Sequence, residues 1–162
     1  MTLQLSSELV WLELKKQLFA VLGVVTAKGE ARTVGIVYAV QDQKLYIASR
    51  KETWKVRHIS QNPHISLTVP IHKRIPFLPW IKIPAATITF SGKAAVLDTD
   101  QVGKEVKQSL LRGMETDAEM LATMCIIEVT PIGNFITYGV GIPLMTMRHP
   151  DQARGRAPVG AH

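Results

Sequence analysis

Three runs, LFAVLGVVTA (18–27), ARTVGIVYAV (31–40) and KLYIAS (44–49), are rich in β-branched and aromatic residues and are separated only by KGE and QDQ. Such side chains pack well on a pleated surface. A three-residue connection suits a hairpin and is far too short for the crossover that joins parallel strands. The spacing therefore predicts three antiparallel strands in succession, and it rules out a chain built from alternating βαβ units.

The rest of the chain is read around that block. Ser6 or Ser7 can cap a short helix over about 8–17, with Leu9, Leu12 and Leu14 as apolar positions. Residues 50–61 read as a second helix, stopped by Asn62-Pro63, after which HISLTVP (64–70) and AATITFSGKAAVL (85–97) resume strand. Asp98 or Thr99 can cap a further helix to about Leu111, which METDAEMLATM (114–124) continues or repeats. CIIEVTP and GNFITYGVG read as a hairpin turning around Pro131 to Asn134. About six strands with short helices predict a mainly β fold, a small antiparallel, Greek-key-like barrel with α additions. With 162 residues, 46% of them hydrophobic, one core is expected. It forms a single domain over residues 1–147, followed by a polar, Arg-rich tail over 148–162.

Charge and cysteine usage narrow the function classes. The net charge of +6 favours an anionic partner, whether a phosphorylated small molecule, a nucleic acid or an acidic membrane surface. A single cysteine, Cys125, excludes an intrachain disulfide and a multi-cysteine metal site; in the apolar run MCIIEV it reads as core, and a reducing cytoplasm is the expected compartment. The N-terminal residues do not read as a signal peptide. The longest apolar run, LFAVLGVV, is far short of the ~20 residues of a membrane span, so a soluble protein is expected. His58, His64, His72, His149 and His162 show no HxxxH or HExxH spacing, so no metal site is expected. Ser66 and Thr68 lie without a nearby acid–base pattern, which gives hydrolysis no support, and no catalytic acid or base stands out. Neither a dinucleotide-binding glycine fingerprint nor a GxxxxGK[ST] loop is present.

The segment ASRKETWKVRHISQNP (48–63) concentrates cations directly after a strand. Ser49 with Glu52 has capping-box spacing, which would put a helix N-terminus there, with Arg50, Lys51, Thr53 and Lys55 close to its free N–H groups. That combination suits a phosphate monoester. The alternative is a capped, solvated helix, although cations beside a helix N-terminus oppose its dipole unless an anion offsets them.

The run VVTAKGEARTVGIVYAVQDQKLYIASRKETWKVRHISQNPHISLTVP resembles the FMN-binding split β-barrels of the pyridoxamine 5'-phosphate oxidase-like superfamily. The likeness lies in the order of strand, turn, strand, short turn, strand, S/T…K helix, Asn-Pro and strand, with Lys55 eight residues before Pro63. The resemblance implies a homodimer with FMN in grooves at the subunit interface. Lys55 would contact the FMN phosphate, Thr53 and Ser49 would add hydroxyl donors, and Arg50 a second cation. The strand through Thr33, Val34 and Gly35 would run beneath the isoalloxazine, with Gly35 either admitting the ring or serving as a packing or bulge glycine. It further implies a flavin-dependent oxidoreductase acting on a small molecule, with a nicotinamide electron donor. Trp54 stands where the true oxidases carry an arginine, and their second-strand arginine and lysine have no match around Thr33 and Tyr38, so pyridoxamine phosphate oxidation is not the expected reaction. Relatives of this kind also bind a deazaflavin or haem, and some are non-catalytic carriers, which stay open alternatives.

Two segments are left over. IHKRIPFLPWIKIP (71–84) mixes basic, aromatic and proline residues and reads as a lid, a dimer contact, or a membrane-surface or nucleic-acid contact, although no nucleic-acid motif is present and no nucleic-acid partner is expected. Arg148, Arg154 and Arg156 either reach an anionic ligand or the partner chain, or belong to a disordered end.

Overall fold

The computed structural model describes residues 2–74, 77, 78, 80–113 and 117–160. A two-residue strand β1 (Leu3–Gln4) precedes helix α1 (Ser7–Lys16), whose N-cap Ser6 hydroxyl accepts the Leu9 N–H at 3.2 Å. Val10, Trp11 and Leu14 share one face of α1 and are buried. Strands β2 (Phe19–Val25) and β3 (Ala31–Val37) form the first hairpin through the turn at Gly29, whose φ of 78° needs a glycine. β4 (Ala39–Gln41) and β5 (Lys44–Arg50) form the second, with both turn residues, Asp42 and Gln43, at positive φ as a two-residue hairpin demands.

Two of the expected strand relations change. ARTVGIVYAV is not one strand, because it breaks at Tyr38. That side chain is 1% exposed, and its hydroxyl donates at 2.8 Å to the Leu14 carbonyl, which also accepts the Gln17 N–H at 3.3 Å where α1 ends. Nor does the third run pair with the second. β5 pairs with β4 and, across the fold, with β8 (Met124–Tyr138), while β3 pairs with β2 alone.

Helix α2 (Trp54–Gln61) follows β5 and leads into β6 (His64–Ile71) and β7 (Ala86–Asp98). Asp98 caps a single 3-10 turn, Thr99–Gln101, and Gly103 opens a separate helix α3 (Lys104–Leu111), where one helix was expected from Asp98. Helix α4 (Ala118–Thr123) is capped by the Asp117 side chain, and the start of METDAEMLATM at residues 114–116 lies outside the described residues.

The expected hairpin around Pro131 to Asn134 is absent. β8 runs through it as a 15-residue strand, pairing with β5 over Met124–Val129 and with a last strand β9 (Arg154–Pro158) over Asn134–Tyr138. Pro131 and Gly133 fall in the gap between those two partners, where a missing N–H and a φ of 73° disturb neither ladder, and against β7 it is β8 that carries the irregularity, its Ile132–Ile136 stretch lying opposite the shorter Thr89–Ser91. The Arg-rich end is likewise no loose tail over its strand. β9 is bracketed by β8 and the parallel β1, with Gly155 and Ala157 buried.

The sheet runs β1-β9-β8-β7-β6-β2-β3, with β5 on the free half of β8 and β4 beside it. Its concave face encloses the core. Phe135 of β8 stacks edge-on against Trp11 of α1 and Phe90 of β7, both with ring centroids 5.3 Å away, so α1 plugs the barrel. The Trp11 indole N–H donates to the Val159 carbonyl at 2.9 Å, tying the plug to the C-terminal strand. No helix among the described residues is long and apolar enough to cross a membrane.

Burial pushes the Tyr38 phenol well above its usual range, so the buried hydroxyl keeps its proton and its bond. Because the folded-state value is raised, this contribution is complete below about pH 10 and is lost as pH rises above it. Tyr38→Phe is expected to cost about 0.5–1.5 kcal/mol near neutrality, by removing one hydrogen bond from a Leu14 carbonyl that keeps the Gln17 N–H. Its urea midpoint is expected to fall less steeply than the parent's above about pH 10, as urea titrations at stepped pH would show.

Candidate functional site

β5 ends at Arg50 and α2 begins at Trp54, so the cationic segment is a tight corner between a strand and a helix. The expected capping box does not form. Ser49 is still in the strand, opposite Cys125, and the N-cap is Thr53. The Thr53 hydroxyl does not cap the helix either: it donates back to the Arg50 carbonyl at 3.1 Å and lies 3.0 Å from the Ser49 hydroxyl. Strand pairing to β8 holds Ser49 too far back to act as a cap. The first turn of α2 is therefore left without a side-chain acceptor and carries no acidic residue.

The corner brings together Ser49, Arg50, Thr53 and Lys55. Ser49 is buried, Arg50 is exposed, and Thr53 and Lys55 are half-buried. Lys51 is engaged elsewhere, 3.3 Å from the Asp98 carboxylate, and its N–H donates to the Thr123 carbonyl at the end of α4. Among the described residues neither Arg50 nor Lys55 makes an ion pair. Burial raises the pKa of the Cys125 thiol, and the Lys51 and Lys55 ammonium groups pull it down, which locates both cations over this end of β5 and β8.

A cavity of about 690 Å³ opens at the corner, lined by Arg50, Lys51, Glu52 and Thr53 on one side and by Asp117, Glu119, Met120 and Thr123 on the other, so its cations share the wall with carboxylates, and Ser49 and Lys55 lie outside its lining. The α4 residues carried no signal in the sequence. They reach the cavity because Arg50 pairs with Met124, which brings the helix preceding β8 beside the helix following β5. Free N–H groups beside Arg50 and Lys55 suit a phosphate monoester, whereas the Ser49 and Thr53 hydroxyls already donate to the Arg50 carbonyl at 3.2 and 3.1 Å.

The other expected residues lie apart. β3 ends the main path of the sheet, so its outer edge offers backbone groups without a strand partner. Thr33 is exposed in a second cavity of about 450 Å³ with Gly23, His64 and Ser66, which shares no residue with the first. Val34 packs onto the core, leaving only its backbone for a ligand. At the exposed Gly35 a Cβ would meet the edge of the half-exposed Phe19 ring at 2.8 Å, so that ring lies against it. Among the described residues no cluster of three or more His, Cys, Asp or Glu side chains could hold a metal ion.

A mainly β sheet that curls around one core, splits between β3 and β5 and carries an uncapped cationic helix at the corner is the architecture of a split β-barrel. The family model for pyridoxamine 5'-phosphate oxidase matches residues 9–132, and the chain belongs to that family. No curated protein matches the sequence significantly. Among solved structures, an F420 reductase is 20% identical, with a TM-score of 0.55 over 76% of this chain and 93% of its own. A FAD-binding protein from Mesorhizobium loti is 17% identical, with a TM-score of 0.60 over 78% and 88%. A heme binding protein from Mycobacterium smegmatis is 11% identical, with a TM-score of 0.66 over 94% of this chain and 57% of its own. At these identities the likeness is one of fold.

The uncapped first turn makes a direct prediction. Thr53→Asp supplies the missing acceptor and a negative charge at the positive end of α2, and is expected to raise stability by about 1 kcal/mol in urea unfolding. A loss of stability would show that the first turn is already satisfied.

Proposed function

We propose that the chain binds FMN, with the phosphate seated on the first turn of α2. The observation that carries this is the N-cap Thr53, whose hydroxyl turns back to Arg50 and leaves the turn open between Lys55, Arg50 and Ser49. In this reading Lys55 and Arg50 neutralise the phosphate, the Thr53 and Ser49 hydroxyls turn from the Arg50 carbonyl to orient it, and the edge backbone of β3 around Thr33, Val34 and Gly35 meets the polar rim of the ring. Bound FMN would supply a two-electron carrier between a nicotinamide donor and a small oxidised acceptor. The protein's part is anchoring, orientation and exclusion of water; no side chain is assigned as acid or base.

The same reading makes the protein a homodimer. The phosphate corner and the β3 edge line separate cavities, as expected of half-sites completed by a second copy. The outward sheet face also carries Phe19, Val25, Val37, Ile132 and Ile136 exposed around the small residues Gly23, Ser66 and Ser91, an apolar face that suits a partner.

The test is the absorption spectrum of the protein after FMN is added and the excess removed by gel filtration, with one flavin retained per subunit expected. Lys55→Ala is expected to weaken FMN by about 1.5–3 kcal/mol, roughly 10- to 150-fold, with little change in stability. Thr53→Asp is expected to abolish retention by placing a carboxylate where the phosphate sits. A deazaflavin would meet the same phosphate-binding groups, and its different spectrum separates the two. Unchanged FMN affinity in both variants would remove the corner from the site.

A further inference from the structure

The connection between β6 and β7 presents large apolar side chains to solvent. Phe77 is 88% exposed and Trp80 is 73% exposed, with Leu78 and Ile81 beside them at 38% and 39%. The Ile81 N–H donates to the Leu78 carbonyl at 3.1 Å. The root is anchored: the Lys73 ammonium donates to the Gly139 carbonyl at 2.7 Å, binding the loop to the segment that follows β8. That segment adds the exposed Met145, Arg148 and His149, with Asp151 as its one acid.

The charge the loop itself carries is of one sign. No acidic residue occurs anywhere between Glu52 and Asp98, whereas the loop itself carries His72, Lys73, Arg74 and Lys82. Exposed aromatic and aliphatic side chains flanked in the chain by cations are complementary to one kind of surface, an apolar interior beneath anionic headgroups. Single-stranded nucleic acid fits less well, since Leu78 and Ile81 have no π-face on which a base could stack. The loop also leaves the sheet at the Ala86 end of the 13-residue β7, and the phosphate corner lies at the Asp98 end, so the loop is placed apart from that corner.

We propose that the β6–β7 loop docks the protein on anionic membrane surfaces, with Phe77 and Trp80 entering the acyl boundary and Arg74, Lys82 and Arg148 facing the headgroups. Nothing here crosses the bilayer, and the proposal does not depend on which cofactor the barrel holds.

The full chain would be sedimented with vesicles of phosphatidylglycerol and phosphatidylcholine, and with vesicles of phosphatidylcholine alone. Binding to the anionic vesicles is expected, weakening as salt is added by about fivefold for each cation screened. Phe77→Ser/Trp80→Ser is expected to weaken it at least tenfold for each aromatic removed, and the exposure of both side chains leaves the fold intact. Quenching by lipids brominated in the acyl chain is expected in the parent and is expected to fall in Trp80→Phe. No binding to anionic vesicles, equal binding to phosphatidylcholine, or undiminished binding by the double variant would overturn the proposal. It would also be overturned if the double variant changed the oligomeric mass or lost flavin retention, because the loop would then be a contact between copies or a lid. Tighter retention on single-stranded RNA than on vesicles would overturn it in favour of a nucleic-acid surface.

Discussion

The architecture depends on the length of β8. A single strand of 15 residues pairs with β7 along most of its course and, on its other edge, with β5 in its first half and β9 in its second. Among the described residues its first half alone ties the β4–β5 hairpin to β7 and so to β6, β2 and β3, and its continuation through Pro131 and Gly133, instead of a turn back, brings β9 and then β1 into the same sheet. The core follows from this continuity. Phe135, just beyond the irregularity, faces inward and receives both Trp11 and Phe90.

The cationic corner is a second consequence of the same strand. β8 pairs with Ser49 and Arg50, which fixes where β5 must end, and the chain then needs three residues before α2 can start. Those residues spend their polar groups on one another: Thr53 bonds to Arg50, Ser49 lies against Thr53, and Lys51 reaches Asp98 and the Thr123 carbonyl. A strand end held this firmly leaves the following helix turn open, and an open turn beside Arg50 and Lys55 suits an anion.

The local readings that succeeded rest on short-range physics. The turns at KGE and QDQ, the Ser6 cap and the break at Asn62-Pro63 each depend on a few adjacent residues, and each is found. The readings that failed required knowledge of a distant partner. Pro131 and Gly133 look like a turn unless β5 and β9 are known to leave a gap beside them. Tyr38 looks like a strand residue until the Leu14 carbonyl is placed within reach of its hydroxyl. Ser49 and Glu52 have the spacing of a capping box, but pairing with Cys125 outweighs a bond worth about 1 kcal/mol.

The same division holds for the candidate site. By itself the sequence determined a mainly β chain, a cationic corner after KLYIAS and the residue types that suit a phosphate, because composition and short spacings carry that information. Only the tertiary structure decided that α2 starts at Trp54, that α4 walls the corner, that Gly35 lies against Phe19 and that the Arg-rich end is a strand in the sheet. Those features arise from pairings between residues far apart in the chain, and such pairings are selected by the energy of the whole sheet, which no short stretch of sequence encodes.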